Sequence, residues 1–588
     1  MKHLFFKTCM SLSPMLLLTG CIDNSYDLSD IDKTTQVNVN DLVVPVNIDA
    51  IELSEIIKID EESKIKIVNL DGQEVYAVTE SGTIHSDPID VKGFTAISPA
   101  IQPAHIDFVP HQIQSRAQSE TLDYDFKTST DQEVKFSTTD VDESIKEITS
   151  LDFKPMTITM HMTTAGLDNS ATIMLPNLTF QFLKGLVIPD LPQNYKYNPE
   201  TGILTVENLD CPNQEGVVSI TAVGLNFEQA GDEASLKDRA FEFKSNIEIT
   251  DAKMKLTIPT DKISTLADQI RFDINTSVQE LEPTYFSGKI EYKLEGDGLS
   301  IDPVSLSDIP DFLSNDDTDL RLANPQIYLG LNNPMATYGL NAETGIELAS
   351  VRAGGKTSFG LNSGELVRIG TNHGVDGPYN FVLSPSMPQK PLTFYATNLS
   401  HVGFSSLSDV LAGSGLPESI EISLVNPQLP LQTVNRFKLD STIPPIDGTW
   451  EFFAPLALKT GANGSVIVYS KTEDGWYSED LDKLTIKTLN IEADVDSDLP
   501  LGATLNVYPI NKDGQKIPNV TVTPATISAN AKGERLSMTV TGVIRDLDGV
   551  TYEAVVKPGS EEALSPQQTI RLSNIKAKVS GYYLTDFE

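Results

Sequence analysis

The stretch Thr157-Ile158-Thr159-Met160-His161-Met162-Thr163 alternates polar and apolar residues at every step. A period of two puts Ile158, Met160 and Met162 on one side of an extended chain and Thr157, Thr159 and His161 on the other. That is the pattern of a strand with one packed face and one wet face. The pattern recurs in both directions. Ile65 and Ile67 alternate with Lys64 and Lys66. Met254, Leu256 and Ile258 alternate with Lys255 and Thr257, Val520 and Val522 with Thr521 and Thr523, and Ile570 and Leu572 with Arg571 and Ser573. One-sided alternation belongs to antiparallel sheets rather than to parallel sheets buried on both faces. Asp-Gly pairs begin at Asp71, Asp297, Asp376, Asp447, Asp474, Asp513 and Asp548, and Asn463-Gly464 adds another. Such pairs tolerate positive φ and fit tight hairpins. The 34 prolines are spread along the chain, which disfavours long helices. The expected fold is all-β, with several β-sandwich (immunoglobulin-like) modules in series and few short helices.

Two blocks repeat. Ser305-Leu306-Ser307-Asp308 leads to Asn324-Pro325-Gln326, and Ser406-Leu407-Ser408-Asp409 leads to Asn426-Pro427-Gln428. Each S-x-x-D reads as a capping box opening a short helix. Leu322 in one copy and Leu424 in the other then fall on the inward face of a strand. The expected divisions are a leader over 1–20, an acidic tether over 21–40, β modules over 41–150 and 151–262, repeat-bearing sandwiches over 263–385 and 386–488, and a C-terminal β module over 489–588.

Composition narrows the function. The chain has 43 Lys and Arg against 82 Asp and Glu, a formal charge of −39. A surface this acidic repels the phosphate backbone, so a nucleic-acid partner is excluded. The first residues, MKHLFFKTCMSLSPMLLLTGC, carry Lys2 and Lys7 and then an apolar stretch too short to span a bilayer. Cys9 lies within this leader. Leu18-Thr19-Gly20-Cys21 resembles the lipobox of bacterial lipoproteins. That resemblance implies cleavage before Cys21 and acylation of Cys21, a palmitate-bearing anchor of three chains. Asp23, Asp27, Asp30 and Asp32 follow, similar to the acidic export signal of surface-exposed lipoproteins in Bacteroidota. Cys211 is then the one cysteine of the mature body, and no histidine stands near it in sequence to activate it.

The chemical candidates are few. His105, Asp107 and His111 share one side of an extended chain, but Pro110 interrupts it and no HExxH or cysteine pair completes a zinc set. Gly354-Gly355-Lys356-Thr357 resembles the end of a phosphate loop, yet the first required glycine would fall at Ser350. No G-x-S-x-G occurs. No cofactor is expected. Calcium is the one candidate ion, on Asp316, Asp317 and Asp319 in one loop and on Asp494, Asp496 and Asp498 along one strand face. A solvated acidic face is the alternative. Trp450, Trp476 and Tyr477 lie at or beside Asp-Gly turns, as core residues or as platforms for sugar rings.

Lipobox, acidic start and serial β modules together resemble the large outer-membrane lipoproteins of Bacteroidota. The stretch Leu322 to Pro334 also resembles the water-stress β-sandwich proteins. The resemblance implies an outer-membrane, lipid-anchored protein at the cell surface, whose partners are the membrane and either a polysaccharide or other envelope proteins. The expected role is a non-enzymatic, extended binding or structural module. An accessory glycan-binding protein of a polysaccharide-uptake system is the alternative, and a hydrolase a third reading.

Overall fold

The computed structural model of the chain describes residues 34–46, 50–57, 59, 63–70, 72–114, 119–306, 313, 315–370, 378–478 and 482–586. Strand makes up about 62% and helix 7%, so the fold is all-β. The helical pieces are short, such as the four-residue turns Leu53–Ile56 and Phe227–Ala230. Cys21 lies outside the described residues. Among them no helix is long and apolar enough to cross a membrane.

The alternating stretch around Met160 is part of a 20-residue strand, Ile145–Thr164. Ile158, Met160 and Met162 are buried as the period requires. The strand pairs with Glu215–Asn226 on one edge and with Ile270–Val278 and Pro283–Lys293 on the other, all antiparallel. Its polar face is held by cross-strand hydroxyl contacts, Thr157 to Thr221 at 3.1 Å and Thr159 to Ser219 at 3.3 Å. With Ala240–Pro259 and Ser419–Lys438 it belongs to a large connected sheet of 18 described strands. The inward side chains of that sheet, among them Phe136, Phe243 and Phe272, form the first core.

A second core lies between part of this sheet and a six-stranded one. The smaller sheet runs Leu399–Gly403, Tyr379–Ser384, Gln326–Asn332, Asp447–Pro455, Gln73–His85 and Ile65–Leu70. Its Ile327, Leu329, Trp450 and Phe452 meet Ile346, Leu348, Ile420 and Ile422 of the large sheet. Strands from residues 65–85 and from residues 326–455 thus share one sheet, and order along the chain is not order in space. The expected breaks at 150/151 and 488/489 fall within strands, Ile145–Thr164 and Leu484–Ser497.

The C-terminal part is built of two further sheets. One runs Thr34–Val46, Thr569–Asp586, Leu484–Ser497, Glu534–Ile544, Thr521–Thr523. The other runs Ile467–Glu473, Leu547–Pro558, Leu501–Asn511, Ala525–Ile527. Residues 34–40, expected as tether, are strand: Thr34 pairs with Asp586 and Val37 with Tyr583.

The expected equivalence of the two blocks is not seen where both are described. Asn324 and Pro325 lead into a strand of the six-stranded sheet, whereas Asn426-Pro427-Gln428 lies inside Ser419–Lys438 of the large sheet. Asn426 has a φ of 50°, a kink that lets one long strand change partners there. Ser305 is in strand Val304–Ser305, and residues 307–312 lie outside the described residues. Ser406 sits inside the 3-10 turn Ser405–Asp409, whose start is capped from elsewhere. The Glu365 carboxylate accepts from the Ser405 amide at 2.8 Å and the Ser406 amide at 3.2 Å. Burial alone would raise Glu365, but hydrogen bonds from Ser406 and Ser405 hold its carboxyl below the usual range.

Burial separates the two leucines. Leu322 is 0% exposed, while Leu424 is half-buried against the same core. Leu322→Ala should cost about 2–5 kcal/mol in chemical denaturation. Leu424→Ala should cost visibly less, and equal losses would contradict this packing.

Candidate functional site

The strand Asp447–Pro455 is hydrogen-bonded on both edges, so its side chains must alternate strictly. Trp450, Phe452 and Ala454 enter the second core, while Thr449, Glu451 and Phe453 point to the other face. Glu451 is opposite Tyr328 on one neighbour and Ser81 on the other. Thr79 and Thr83 flank Ser81 on the same face, opposite Phe453 and Thr449.

A proline-rich loop, Pro385 to Asn398, folds over this outer face. It ends in the turn Thr393–Tyr395. The Tyr395 ring stacks on Tyr328 with centroids 5.1 Å apart and 23° between planes. Gly330 makes this possible: a Cβ there would lie 3.2 Å from the Tyr395 ring and 3.1 Å from Asn380 Oδ1. Polar contacts pin the loop. The Leu392 amide donates to the Tyr328 hydroxyl at 3.2 Å, Asn380 Nδ2 donates to the Thr397 carbonyl at 2.8 Å, and the Tyr395 and Thr449 hydroxyls meet at 3.3 Å. Phe394 stands on this base, edge-on to Tyr395 at 4.9 Å, with 75% of its surface in water.

Glu451 is half-buried beside these tyrosines, and burial holds its carboxyl above its ordinary value. Among the described residues no cation or hydrogen-bond donor meets the carboxylate. An exposed aromatic ring, a row of hydroxyls and an unpartnered acceptor therefore share one surface. That set matches a polyhydroxylated ligand, whose apolar ring face stacks and whose hydroxyls donate.

The residues singled out from sequence are placed differently. Trp450 is 3% exposed, and its indole covers Gly82 so closely that a Cβ there would lie 2.6 Å from Nε1. The platform reading of Trp450 is corrected: the strict alternation of its strand directs it inward. Trp476 is half-buried and Tyr477 is 42% exposed. Their amides donate to the Asp548 carbonyl at 2.7 Å and to its carboxylate at 2.8 Å. They belong to the C-terminal sheets and are not brought together with Trp450.

Four of the carboxylates named for calcium, Asp319, Asp494, Asp496 and Asp498, each hold a separate partner. Asp319 accepts from the Gly413 amide at 2.9 Å and from Arg321 at 3.3 Å. Asp316 lies in the adjoining turn, and Asp317 donates its amide to Asn315. Asp494 accepts from Asn574, Asp496 from the Gly533 amide and Asp498 from the Thr569 amide. Among the described residues no three His, Cys, Asp or Glu converge as a metal set. Asp107 is taken by Arg271 through two contacts, 2.8 and 3.1 Å, with His105 at 3.9 Å, and the His111 side chain lies outside the described residues. Lys356 sits just past a hairpin turn and pairs with Glu421 at 2.7 Å. Cys211 is buried, which, with Asp210 nearby, pushes its thiol up to about 12. An uncharged thiol of that kind is a poor nucleophile.

Two open clefts lie on the large sheet, of about 620 and 690 Å³. Several of their charged groups are paired. In the first Lys146 meets Glu291 at 3.6 Å and Arg368 meets Glu343 at 3.4 Å. In the second the Gly93 amide donates to Asp440 at 2.7 Å. Neither cleft is lined by a ring as exposed as Phe394. Sequence reading missed Glu451 and Phe394; the adjacent aromatics Phe394-Tyr395 closing a segment with three prolines were the available signal.

No family model and no curated protein matches the chain. Among solved structures it is similar to a protein from Parabacteroides distasonis named as a candidate secreted protein, at 12% identity and a TM-score of 0.34, over 50% of this chain and 89% of that one. It is also similar to the Broad Bean Stain Virus structure, at 10% identity and a TM-score of 0.13, over 52% of this chain and 90% of that one. At these scores neither likeness carries an inference.

Glu451 gives a pH test. A raised folded pKa means that the native state keeps the proton longer than the unfolded chain. The charge penalty is absent below the ordinary value of 4.5, grows as pH rises through the folded value, and persists above it. Glu451→Gln should therefore raise the denaturation midpoint at neutral pH and lose that advantage in acid. An equal effect at both would mean that the carboxylate is solvated. Tyr395, 2% exposed, should cost about 3–5 kcal/mol on truncation to Ala, whereas Phe394→Ala should leave stability nearly unchanged.

Proposed function

We propose that the chain is a non-enzymatic, lipid-anchored protein of the outer membrane, displayed at the cell surface, which binds a polysaccharide on the outer face of its six-stranded sheet. The observation that carries the binding reading is Phe394, 75% exposed on a pinned aromatic base whose tyrosines adjoin the unpartnered Glu451. Solvent-exposed rings held this firmly are poor candidates for folding stability and good ones for stacking on a sugar. The lipobox at Leu18 to Cys21 supports the anchor, and removal of the leader takes the formal charge from −39 to −41. Three acyl chains suffice for stable attachment.

Affinity electrophoresis against a panel of polysaccharides tests the binding reading. At least one should retard the wild type, and Phe394→Ala should weaken that binding about tenfold, equivalent to roughly 1.4 kcal/mol. Retardation unchanged in both Phe394→Ala and Glu451→Gln would remove this surface as the site. The anchor is tested separately: Cys21→Ala should move the protein from the membrane fraction to the soluble one, and a variant that still sediments with membranes would contradict acylation at Cys21.

A further inference from the structure

The two C-terminal sheets share one end. There Leu484 begins its strand, Ile544, Asn511 and Glu473 end theirs, and Arg545 and Asp546 link one sheet to the other. The strand Thr34–Val46 begins at the same end, with Thr34 opposite Asp586 and Val37 opposite Tyr583, itself opposite Leu484. Twelve residues lie between Cys21 and Thr34, and a chain of that length reaches at most about 45 Å.

This end is rich in aromatics, cations and uncovered apolar groups. Val37, Tyr477 and Val543 are 41, 42 and 52% exposed, and Trp476 and Tyr582 are half-exposed. Lys512 lies 5.8 Å from the Tyr477 ring centroid and Lys487 5.3 Å from that of Tyr582, whose hydroxyl also meets Arg545. Tryptophan, tyrosine and long cationic side chains together suit the boundary between headgroups and acyl chains, where each has an apolar body and a polar tip. Asp482, Asp546 and Asp548 stand among them, so the end has no excess of positive charge to select anionic lipid.

We propose that this end, centred on Trp476, Tyr477 and Tyr582, rests on the surface of the bilayer that holds the lipid anchor, with zwitterionic headgroups as its ligand. The proposal rests on the anchor reading above. A bilayer contact fixes which end of the molecule faces the membrane and gives Tyr477 and the half-exposed Trp476 a role other than sugar binding.

The two tryptophans make the test direct, because Trp450 is sealed in the core at 3% exposure and Trp476 is not. The acylated full-length protein is reconstituted into vesicles of phosphatidylethanolamine and phosphatidylcholine containing lipid brominated near the carbonyls. Bromine should quench the Trp476 share of the emission, roughly half of the total, and Trp476→Phe should abolish that quenching while keeping the Trp450 signal. Intact mass measured on the same sample reports the acyl chains. An acylated protein with no bromine quenching overturns the docking and leaves the anchor standing. A protein without acyl chains overturns the anchor, and the docking with it.

Discussion

The strand Asp447–Pro455 is the constraint on which the central part of the structure depends. It is paired along both edges, to Gln326–Asn332 and to Gln73–His85, so it cannot slip without breaking two ladders. A one-residue slip would also turn Trp450 into water and Glu451 into the core. Burying the largest side chain of the strand therefore fixes the acid on the opposite face. Gly82 and Gly330 complete the arrangement, one admitting the indole on the inner side and the other admitting the Tyr395 ring on the outer side.

That geometry explains how a site arises without a deep cavity. The sheet supplies a rigid floor, and the loop from Pro385 to Asn398 supplies the ring. Three prolines lower the entropy lost when the loop orders. Glu451 bears part of the cost, since its charge is half-buried and unpaired. A carboxylate kept in that state is accounted for if a ligand supplies the missing donors. Glu291 and Glu343 of the first cleft show the contrasting arrangement, in which the protein supplies its own cations.

The strand content was legible in the sequence because alternation is local: Ile158, Met160 and Met162 announce their burial without reference to any partner. Partner choice was not legible. Nothing near Gln73 indicates that its strand pairs with one more than 350 residues away. The S-L-S-D and N-P-Q blocks misled because identical short motifs take their structure from neighbours: one N-P-Q leads into a strand and the other lies within one. Trp450 was legible as core or platform, and only the register separates the two. Phe394 and Glu451 lie 57 residues apart in sequence and are linked in space through Tyr395 and Tyr328 by a folded-back loop, which no periodicity reports.

The most direct measurement is carboxyl footprinting of Glu451 by mass spectrometry, with and without a polysaccharide that retards the protein. The carboxylate is half-buried but faces the proposed ligand, so bound sugar should shield it while the acids of the two clefts keep their labelling. Full labelling of Glu451 in the bound state, or protection of the cleft acids in its place, would contradict the account.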